Sequence, residues 1–189
     1  MPATEAIAIG CSTGGLSALT QLLGALDPKL PAAILVCSHT GSPTVDTLCA
    51  LLARHSTLPV AEAGERRSVR PGMVHVAPAG YHLLVEPGRQ FALSVDPPVW
   101  FSRPSIDVMF TSAAEVYGAA LAGVVLTGAS PDGAHGLANI RRSGGVAIVQ
   151  EPGEAQAPAM PRAALELAGA DHCLPLARIA PLLNRLCLP

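Results

Sequence analysis

The stretch AIAIGCSTGG, residues 6–15, decides the fold of this chain. Its apolar first half is typical of a buried strand, and the leucine spacing over residues 15–26 predicts that a helix follows. Between strand and helix lies a tight glycine-rich turn that contains Ser12. A serine in such a turn is either part of a phosphate-binding loop, a nucleophile, or a residue of an ordinary turn.

The alternation of strand and helix continues outward from this stretch. AAILVCS at residues 32–38 predicts a second buried strand, and a helix is predicted from residue 42 to about residue 54. Because such repeats form parallel strands with right-handed crossovers, we predict an α/β fold: a mostly parallel, doubly wound sheet with flanking helices. Further strands are predicted at 122–127 and 146–150, and further helices at 105–118, 133–143, 161–168 and 179–188.

Residues 64–101 interrupt this rhythm. Three strand-like pieces, MVHVA (73–77), YHLLVE (81–86) and QFALSV (90–95), are separated by turn residues and predict an antiparallel β-meander. The alternative is a linker between two domains, which the apolar content of the pieces disfavours. We therefore predict one domain over residues 1–189, with the meander as an insertion.

The composition excludes several classes of protein. Half of the residues are hydrophobic and 14% are charged, which is typical of an ordered globular chain. A net charge of -2 without a basic run predicts no nucleic-acid partner, and no apolar stretch reaches the about 18 residues of a membrane span. The odd number of cysteines and the absence of a leader-like N-terminus predict a cytoplasmic protein. Without a C-x-x-C pair, we predict no metal site, and we predict no cofactor.

Three polar residues stand at the ends of predicted strands. Ser12 follows the first strand, His39 follows the second, and Asp132 follows the strand that ends at Thr127. Parallel strands bring their carboxyl ends to one edge of a sheet, so we expect these three side chains to converge. A serine, a histidine and an aspartate in contact can supply a nucleophile, a general base and an acid that orients the base.

The residues around Ser12 favour the nucleophile but leave alternatives open. GCSTG matches G-x-S-x-G, which places a serine on a tight strand-to-helix turn, and the backbone N–H of Thr13 is placed to hold an oxyanion. The phosphate-loop alternative is weaker, because G-x-G-x-x-G is broken and no lysine follows. From its position alone, His39 fits a structural histidine as well as a general base.

Taken together, the motifs resemble the catalytic domain of the CheB-type chemotaxis methylesterases. The resemblance implies a hydrolase that removes methyl groups from glutamate methyl esters on the cytoplasmic helices of chemoreceptors. The family also deamidates certain receptor glutamines, an activity that the sequence leaves open. The similarity covers nearly the whole chain and is carried by AIAIGCSTGG, AILVCSH, GERRSVRPGMVHVAPAGYH, FSRPSIDVMF, GVVLTGASPDGAHGL and the Ala-Met-Pro of 159–161.

The resemblance also implies a role for each candidate site residue. The nucleophile falls on Ser12, the general base on His39 and the orienting acid on Asp132. The remaining matches are backbone groups for an oxyanion at Thr13 and Ala129, and substrate contacts at Arg103 and Met160.

The chain departs from the family pattern close to these residues. The family's Met-Gly-Asn before the aspartate is here 129–131, Ala-Ser-Pro, and its Met-Pro after the histidine is here Thr40-Gly41. A methyl group thus replaces a bulky side chain, and Pro131 lacks an N–H. We expect no receiver domain of the kind common in the family, because the first predicted strand begins at residue 6.

Three functions therefore compete. The first is the methylesterase. The second is a catalytically weak or inactive module that docks receptors, which the altered 129–131 loop favours and the presence of all three triad residue types opposes. The third, nucleotide binding, lacks a lysine and an acidic partner in the expected context.

Overall fold

The computed structural model describes residues 3–188. A short 3₁₀ turn at Gly118–Ala120 precedes the seventh strand. No helix within the described residues is long and apolar enough to cross a membrane. The strands are β1 Ala6–Cys11, β2 Ala33–Ser38, β3 Val60–Glu62, β4 Val74–Val76, β5 His82–Glu86, β6 Gln90–Ser94, β7 Leu121–Val125, β8 Val146–Gln150 and β9 His172–Leu174. The helices are α1 Gly15–Gly24, α2 Asp46–His55, α3 Ile106–Tyr117, α4 Ala134–Arg142, α5 Ala159–Leu167 and α6 Leu176–Cys187.

Seven strands form one parallel sheet in the order β3-β4-β2-β1-β7-β8-β9. Gly10 of the central strand β1 pairs with Cys37 of β2 on one side and with Val125 of β7 on the other. The chain first winds from β1 through β2 to the edge strand β3 and returns to place β4 between β2 and β3. It later winds outward on the other side from β7 to β9, so the strand order reverses beside β1. Ligands of such sheets bind in the crevice at this reversal, at the carboxyl ends of the strands. The predicted fold class is confirmed.

Side chains of β1 point alternately toward the helix layers on the two faces of the sheet, and they differ in size between the faces. Ile7 and Ile9 face the core that β1 shares with α1, α2 and α6, whereas Ala6 and Ala8 face α3, α4 and α5. Because the second face carries only small side chains, α3 lies close against the sheet. Gly10 marks the tightest approach.

The predicted β-meander is present only as a hairpin. β5 and β6 pair antiparallel, with Leu84 opposite Ala92, but MVHVA forms β4 of the main sheet and pairs parallel with β2 and β3. The prediction for this piece was wrong because β4 is buried on both faces. Its polar residue, His75, is buried, and its Nε2 is hydrogen-bonded to the backbone of Arg70. A histidine between two valines gives β4 the apolar–polar alternation that is typical of a half-exposed strand.

Helix α2 begins at Asp46, later than the predicted residue 42. The side chain of Thr40 accepts from the N–H of Ser42 at 3.1 Å, and that of Ser42 accepts from the N–H of Thr44 at 3.4 Å. Such local bonds hold the backbone in turns and compete with the helix. The result is a hydroxyl-rich loop, residues 39–45, beside the end of β2.

We expect Gly10→Ala to lower the free energy of unfolding by about 1–3 kcal/mol, the usual cost of overpacking a core. A Cβ at this position would lie 3.0 Å from Cδ1 of Ile106 and closer still to its Cγ2. Gly153→Ala is the matched control, because a Cβ there meets nothing within 4 Å. Urea denaturation of both variants measures the difference, and equal stabilities would contradict the close approach of α3 to β1.

Candidate active site

The carboxyl ends of β1, β2 and β7 hold the three predicted polar residues at one edge of the sheet. Cys11 pairs with Ser38 in the last register position of β1 and β2, and the N–H of His39 donates to the carbonyl of Cys11 at 3.2 Å. On the other side, the N–H of Ser12 donates to the carbonyl of Thr127 at 3.0 Å. Ser12 is therefore placed between the strand that leads to His39 and the strand that leads to Asp132.

His39 and Asp132 form a direct side-chain pair, with 2.8 Å between Nε2 and Oδ2. The aspartate side chain is fully buried and the histidine side chain is 12% exposed. Because Asp132 occupies Nε2, Nδ1 is the ring nitrogen left for a second partner. No hydrogen bond joins Ser12 Oγ to this ring in the structure of residues 3–188. Hydrogen bonds between a nucleophile and its base commonly tighten only when substrate binds.

The N-terminus of α3 holds Asp132 as an anion. Oδ2 accepts from the N–H of Ile106 at 2.7 Å, and Oδ1 accepts from the N–H of Asp107 and the hydroxyl of Ser105, each at 2.9 Å. Burial acts to raise the pKa of this carboxyl, but the hydrogen bonds from His39, Asp107, Ile106 and Ser105 outweigh it and lower the pKa. Asp132 is therefore ionised at neutral pH and can stabilise an imidazolium.

Thr127, which the sequence marked only as a strand end, anchors the turn that carries Ser12. Its Oγ1 donates to the carbonyl of Thr13 at 2.9 Å and accepts from the N–H of Ala157 at 2.9 Å. Its own N–H donates to Oε1 of Gln150 at 2.8 Å. These contacts join residues far apart in sequence, so no local pattern could have predicted them.

The two backbone N–H groups predicted to hold an oxyanion make no hydrogen bond within the described part of the chain. Neither Thr13 nor Ala129 donates its N–H to another residue there. Gly14 follows Thr13 in the left-handed region, with φ of 79°, and serves as the N-cap of α1. This conformation, which glycine adopts at little cost, turns the chain from β1 into α1.

Ser12 and His39 line one cavity of about 650 Å³. Its lining combines serine and threonine hydroxyls from the 39–45 loop and the start of α2 with leucines of α1 and α2, such as Leu16 and Leu48. Among the described residues, no lysine, arginine, aspartate or glutamate lines it. The cavity therefore suits a neutral polar group rather than an ion.

The two residues predicted to contact substrate lie outside this cavity. Nη1 of Arg103 donates to the carbonyls of Val95 and Asp96, at 2.7 and 3.0 Å, and so braces its own loop. Met160 is 1% exposed, and its sulfur packs against Gly128. In this structure Met160 packs beneath the loop that leads to Asp132, and its contact with substrate stays a prediction.

Cys11, the neighbour of Ser12, does not compete as a nucleophile. It is fully buried, and burial raises the pKa of its thiol to about 11, a shift that a hydrogen bond with Ser38 only reduces. Reactivity of cysteine requires the thiolate, so the thiol stays inert near neutral pH. Ser12, which is partly exposed, is therefore the candidate nucleophile of this turn.

The reversal of strand order, the serine on a strand-to-helix turn and the buried His39–Asp132 pair define an α/β protein with a site of the serine-hydrolase type. A family model described as CheB methylesterase matches residues 7–183. The chain belongs to the CheB methylesterase family.

Individual relatives agree with this assignment. A protein of Leptospira interrogans is 43% identical over 182 residues, covering 96% of this chain and 94% of that protein. The protein-glutamate methylesterase/protein-glutamine glutaminase of Symbiobacterium thermophilum is 41% identical, covering 95% of this chain and 49% of that protein. The chain thus spans nearly the whole of the first relative and about half of the second. The crystal structure of the Thermotoga maritima CheB methylesterase catalytic domain matches with a TM-score of 0.93 at 31% identity, covering 98% of this chain and all of that one.

We expect Asp132→Asn to cost most stability near neutral pH and progressively less in acid. The lowered pKa of Asp132 means that its ionised form stabilises the fold above its usual value of about 3.9, and that this contribution is lost as the pH falls through the lower pKa of the folded state. The gap in unfolding free energy between wild type and variant should therefore stay constant above about pH 5 and shrink as the pH falls from there through the folded-state pKa. Urea titrations across this range measure the gap, and a constant gap would contradict an anion stabilised by α3.

Proposed function

We propose that this chain is a protein-glutamate methylesterase, a serine hydrolase that demethylates glutamate methyl esters on the cytoplasmic helices of chemoreceptors. The observation that carries the proposal is the buried His39–Asp132 pair beside Ser12, in a chain of the CheB methylesterase family. A relative of Myxococcus xanthus, 38% identical and matched over 53% of its own length, bears the name protein-glutamate methylesterase FrzG. Chemoreceptors as partners and the cytoplasm as location belong to the same proposal.

In this proposal Ser12 and His39 carry out acyl transfer. Ser12 Oγ attacks the ester carbonyl while Nδ1 of His39 takes its proton, and Asp132 at Nε2 stabilises the resulting imidazolium. The oxyanion of the tetrahedral intermediate accepts from the N–H groups of Thr13 and Ala129. The carbon–oxygen bond to the methoxy group then breaks, and His39 returns the proton so that methanol leaves.

Water completes the cycle. It attacks the acyl-enzyme, His39 takes one of its protons, and the tetrahedral intermediate releases the glutamate carboxylate and regenerates Ser12. The same steps on a glutamine side chain release ammonia instead of methanol, so deamidation needs no additional group. The uncharged cavity supports either substrate, because a methyl ester and a carboxamide are both neutral and the anionic product finds no cation there.

The second candidate is a receptor-docking module of the same fold without turnover. The observation in its favour is the 129–131 loop, where Pro131 offers no N–H and Ala129 is an exposed methyl group. The intact, fully buried Asp132 with its hydrogen bonds opposes it.

We expect Ser12→Ala and His39→Ala each to lower methanol release from a methylated chemoreceptor by at least about 10³-fold. The double variant should cost little more than either change alone, because groups that act as a unit are not additive. Receptor binding, measured in parallel by co-sedimentation, should survive all three changes. Wild-type release no higher than that of Ser12→Ala, with binding intact, would establish the docking module instead.

We expect Ala129→Met to raise activity on methylated receptor relative to activity on a small model ester. Methionine is the family's residue here, and its side chain would fill space and add apolar surface that the exposed Ala129 does not. Ala53→Met, an equal change at an exposed position of α2, serves as the control. The ratio of kcat/KM for the two substrates measures the effect, and an unchanged ratio would show that the 129–131 loop does not set selectivity.

A further inference from the structure

Asp107, in the first turn of α3, makes hydrogen bonds to a different helix from its own. Its Oδ1 accepts from the N–H of Gly133 at 2.9 Å and of Gly136 at 2.7 Å, which are the N-cap and a first-turn residue of α4. Its Oδ2 accepts from the indole N–H of Trp100 at 3.2 Å. The residue is 8% exposed. A glycine N-cap has no side chain with which to satisfy α4, so this carboxylate does so from outside.

Asp107 and Asp132 thereby form a reciprocal pair. Asp132 directly precedes the N-cap of α4 and binds the N-terminus of α3, while Asp107 belongs to α3 and binds the N-terminus of α4. The N–H that Asp107 holds at Gly133 belongs to the peptide that joins Gly133 to Asp132. Asp107 therefore fixes the backbone from which the Asp132 side chain projects.

The two helices approach closely enough to make this arrangement rigid. A Cβ on Gly136 would lie 3.1 Å from both the Cα and the carbonyl oxygen of Asp107, which are backbone atoms that cannot move aside. Gly133 has φ of 101°, a conformation that side-chain-bearing residues rarely adopt, and a Cβ there would lie 2.8 Å from Cγ2 of Ile106. The hydrogen bonds of both aspartates depend on this contact.

The electrostatic surroundings of Asp107 oppose the charge that its hydrogen bonds stabilise. Burial raises the pKa of its carboxyl and the facing charge of Asp132 raises it further, against the hydrogen bonds from Gly136, Gly133 and Trp100. A raised pKa means that the group favours folding below its usual value of about 3.9, an effect that is lost as the pH rises through the folded-state pKa. The hydrogen bonds to α4 and Trp100 therefore hold this carboxylate beside a residue of the site, against the electrostatic cost of its burial.

We propose that Asp107 is a positioning residue for the esterase site: by holding the N-terminus of α4 it sets the Asp132 carboxylate, and through it the His39 ring, in line with Ser12. This inference rests on the proposed function. Asp107 does not line the cavity beside Ser12, so its removal should alter the chemical step rather than substrate binding.

The test compares Asp107→Ala and Asp107→Asn with wild type in methanol release from methylated receptor. We expect Asp107→Ala to lower kcat by about 10- to 100-fold, the usual cost of displacing a catalytic group by about 1 Å, with KM unchanged within about 3-fold. The kcat of Asp107→Asn should lie between those of wild type and Asp107→Ala. The amide oxygen of the asparagine still accepts from α4, whereas its NH₂ faces the N–H of Trp100, which is also a donor. Asp27→Ala is the control, since that carboxylate accepts from the N–H of Lys29 after the end of α1, away from α3 and α4.

A second readout does not require turnover. The ring N–H that His39 donates to Asp132 should give a low-field proton resonance, identified by its loss in His39→Gln, and this resonance should weaken in both Asp107 variants. Trp100 is the only tryptophan, so its emission reports whether the Asp107 contact is lost. Thermal unfolding measures the folded fraction of each variant.

The outcomes separate this inference from the proposed function. A folded Asp107→Ala with wild-type kcat and His39 resonance overturns the positioning role, as does a kcat loss no larger than the loss of folded protein. If Asp107→Ala does not fold, Asp107→Asn decides, and wild-type kcat together with an unchanged resonance overturns the role. Wild-type methanol release no higher than that of Ser12→Ala would contradict the proposed esterase activity only. The His39 resonance would still test whether Asp107 positions the ring.

Discussion

A negative charge with no exposed surface, the carboxylate of Asp132, is the constraint on which the rest of this site depends. An ionised carboxyl can be buried only where hydrogen bonds and a counter-charge replace water. Here the N-terminus of α3 supplies two N–H groups and the Ser105 hydroxyl, and His39 supplies the fourth contact. The position at which α3 begins, its closeness to β1 and the start of α4 all satisfy this one requirement.

Glycines at two positions let α3 pack closely enough to meet this requirement. The Ile106 side chain fills the space that a Cβ on Gly10 or Gly133 would occupy, so the N–H of Ile106 comes within reach of Asp132. A larger residue at either glycine would push the helix away from the sheet and weaken the contacts of the carboxylate. The close packing of the core therefore also determines how well the Asp132 carboxylate is hydrogen-bonded.

The sequence could predict the parts of this arrangement that depend on local pattern. Buried apolar runs predicted β1, β2 and β7, and parallel pairing then brought Ser12, His39 and Asp132 to one edge. The local pattern gave the wrong result where a buried polar residue satisfies the backbone, as His75 does inside β4. Local patterns also could not reveal contacts between distant segments, such as Thr127 with the turn after β1 and Asp107 with α4, because those contacts exist only after the helices have packed.

The site divides into a fixed half and an open half, and the division has a mechanistic consequence. Asp132 and the Nε2 side of His39 are buried and satisfied, whereas Ser12 and the Nδ1 side open toward a cavity walled by the hydroxyl-rich 39–45 loop. Preorganised groups lower a barrier because they need no rearrangement during the reaction. In the proposed mechanism, the base is therefore ready before substrate arrives. The contact still to be made, between Ser12 and Nδ1, is the one that a substrate filling the cavity would shield from water and complete.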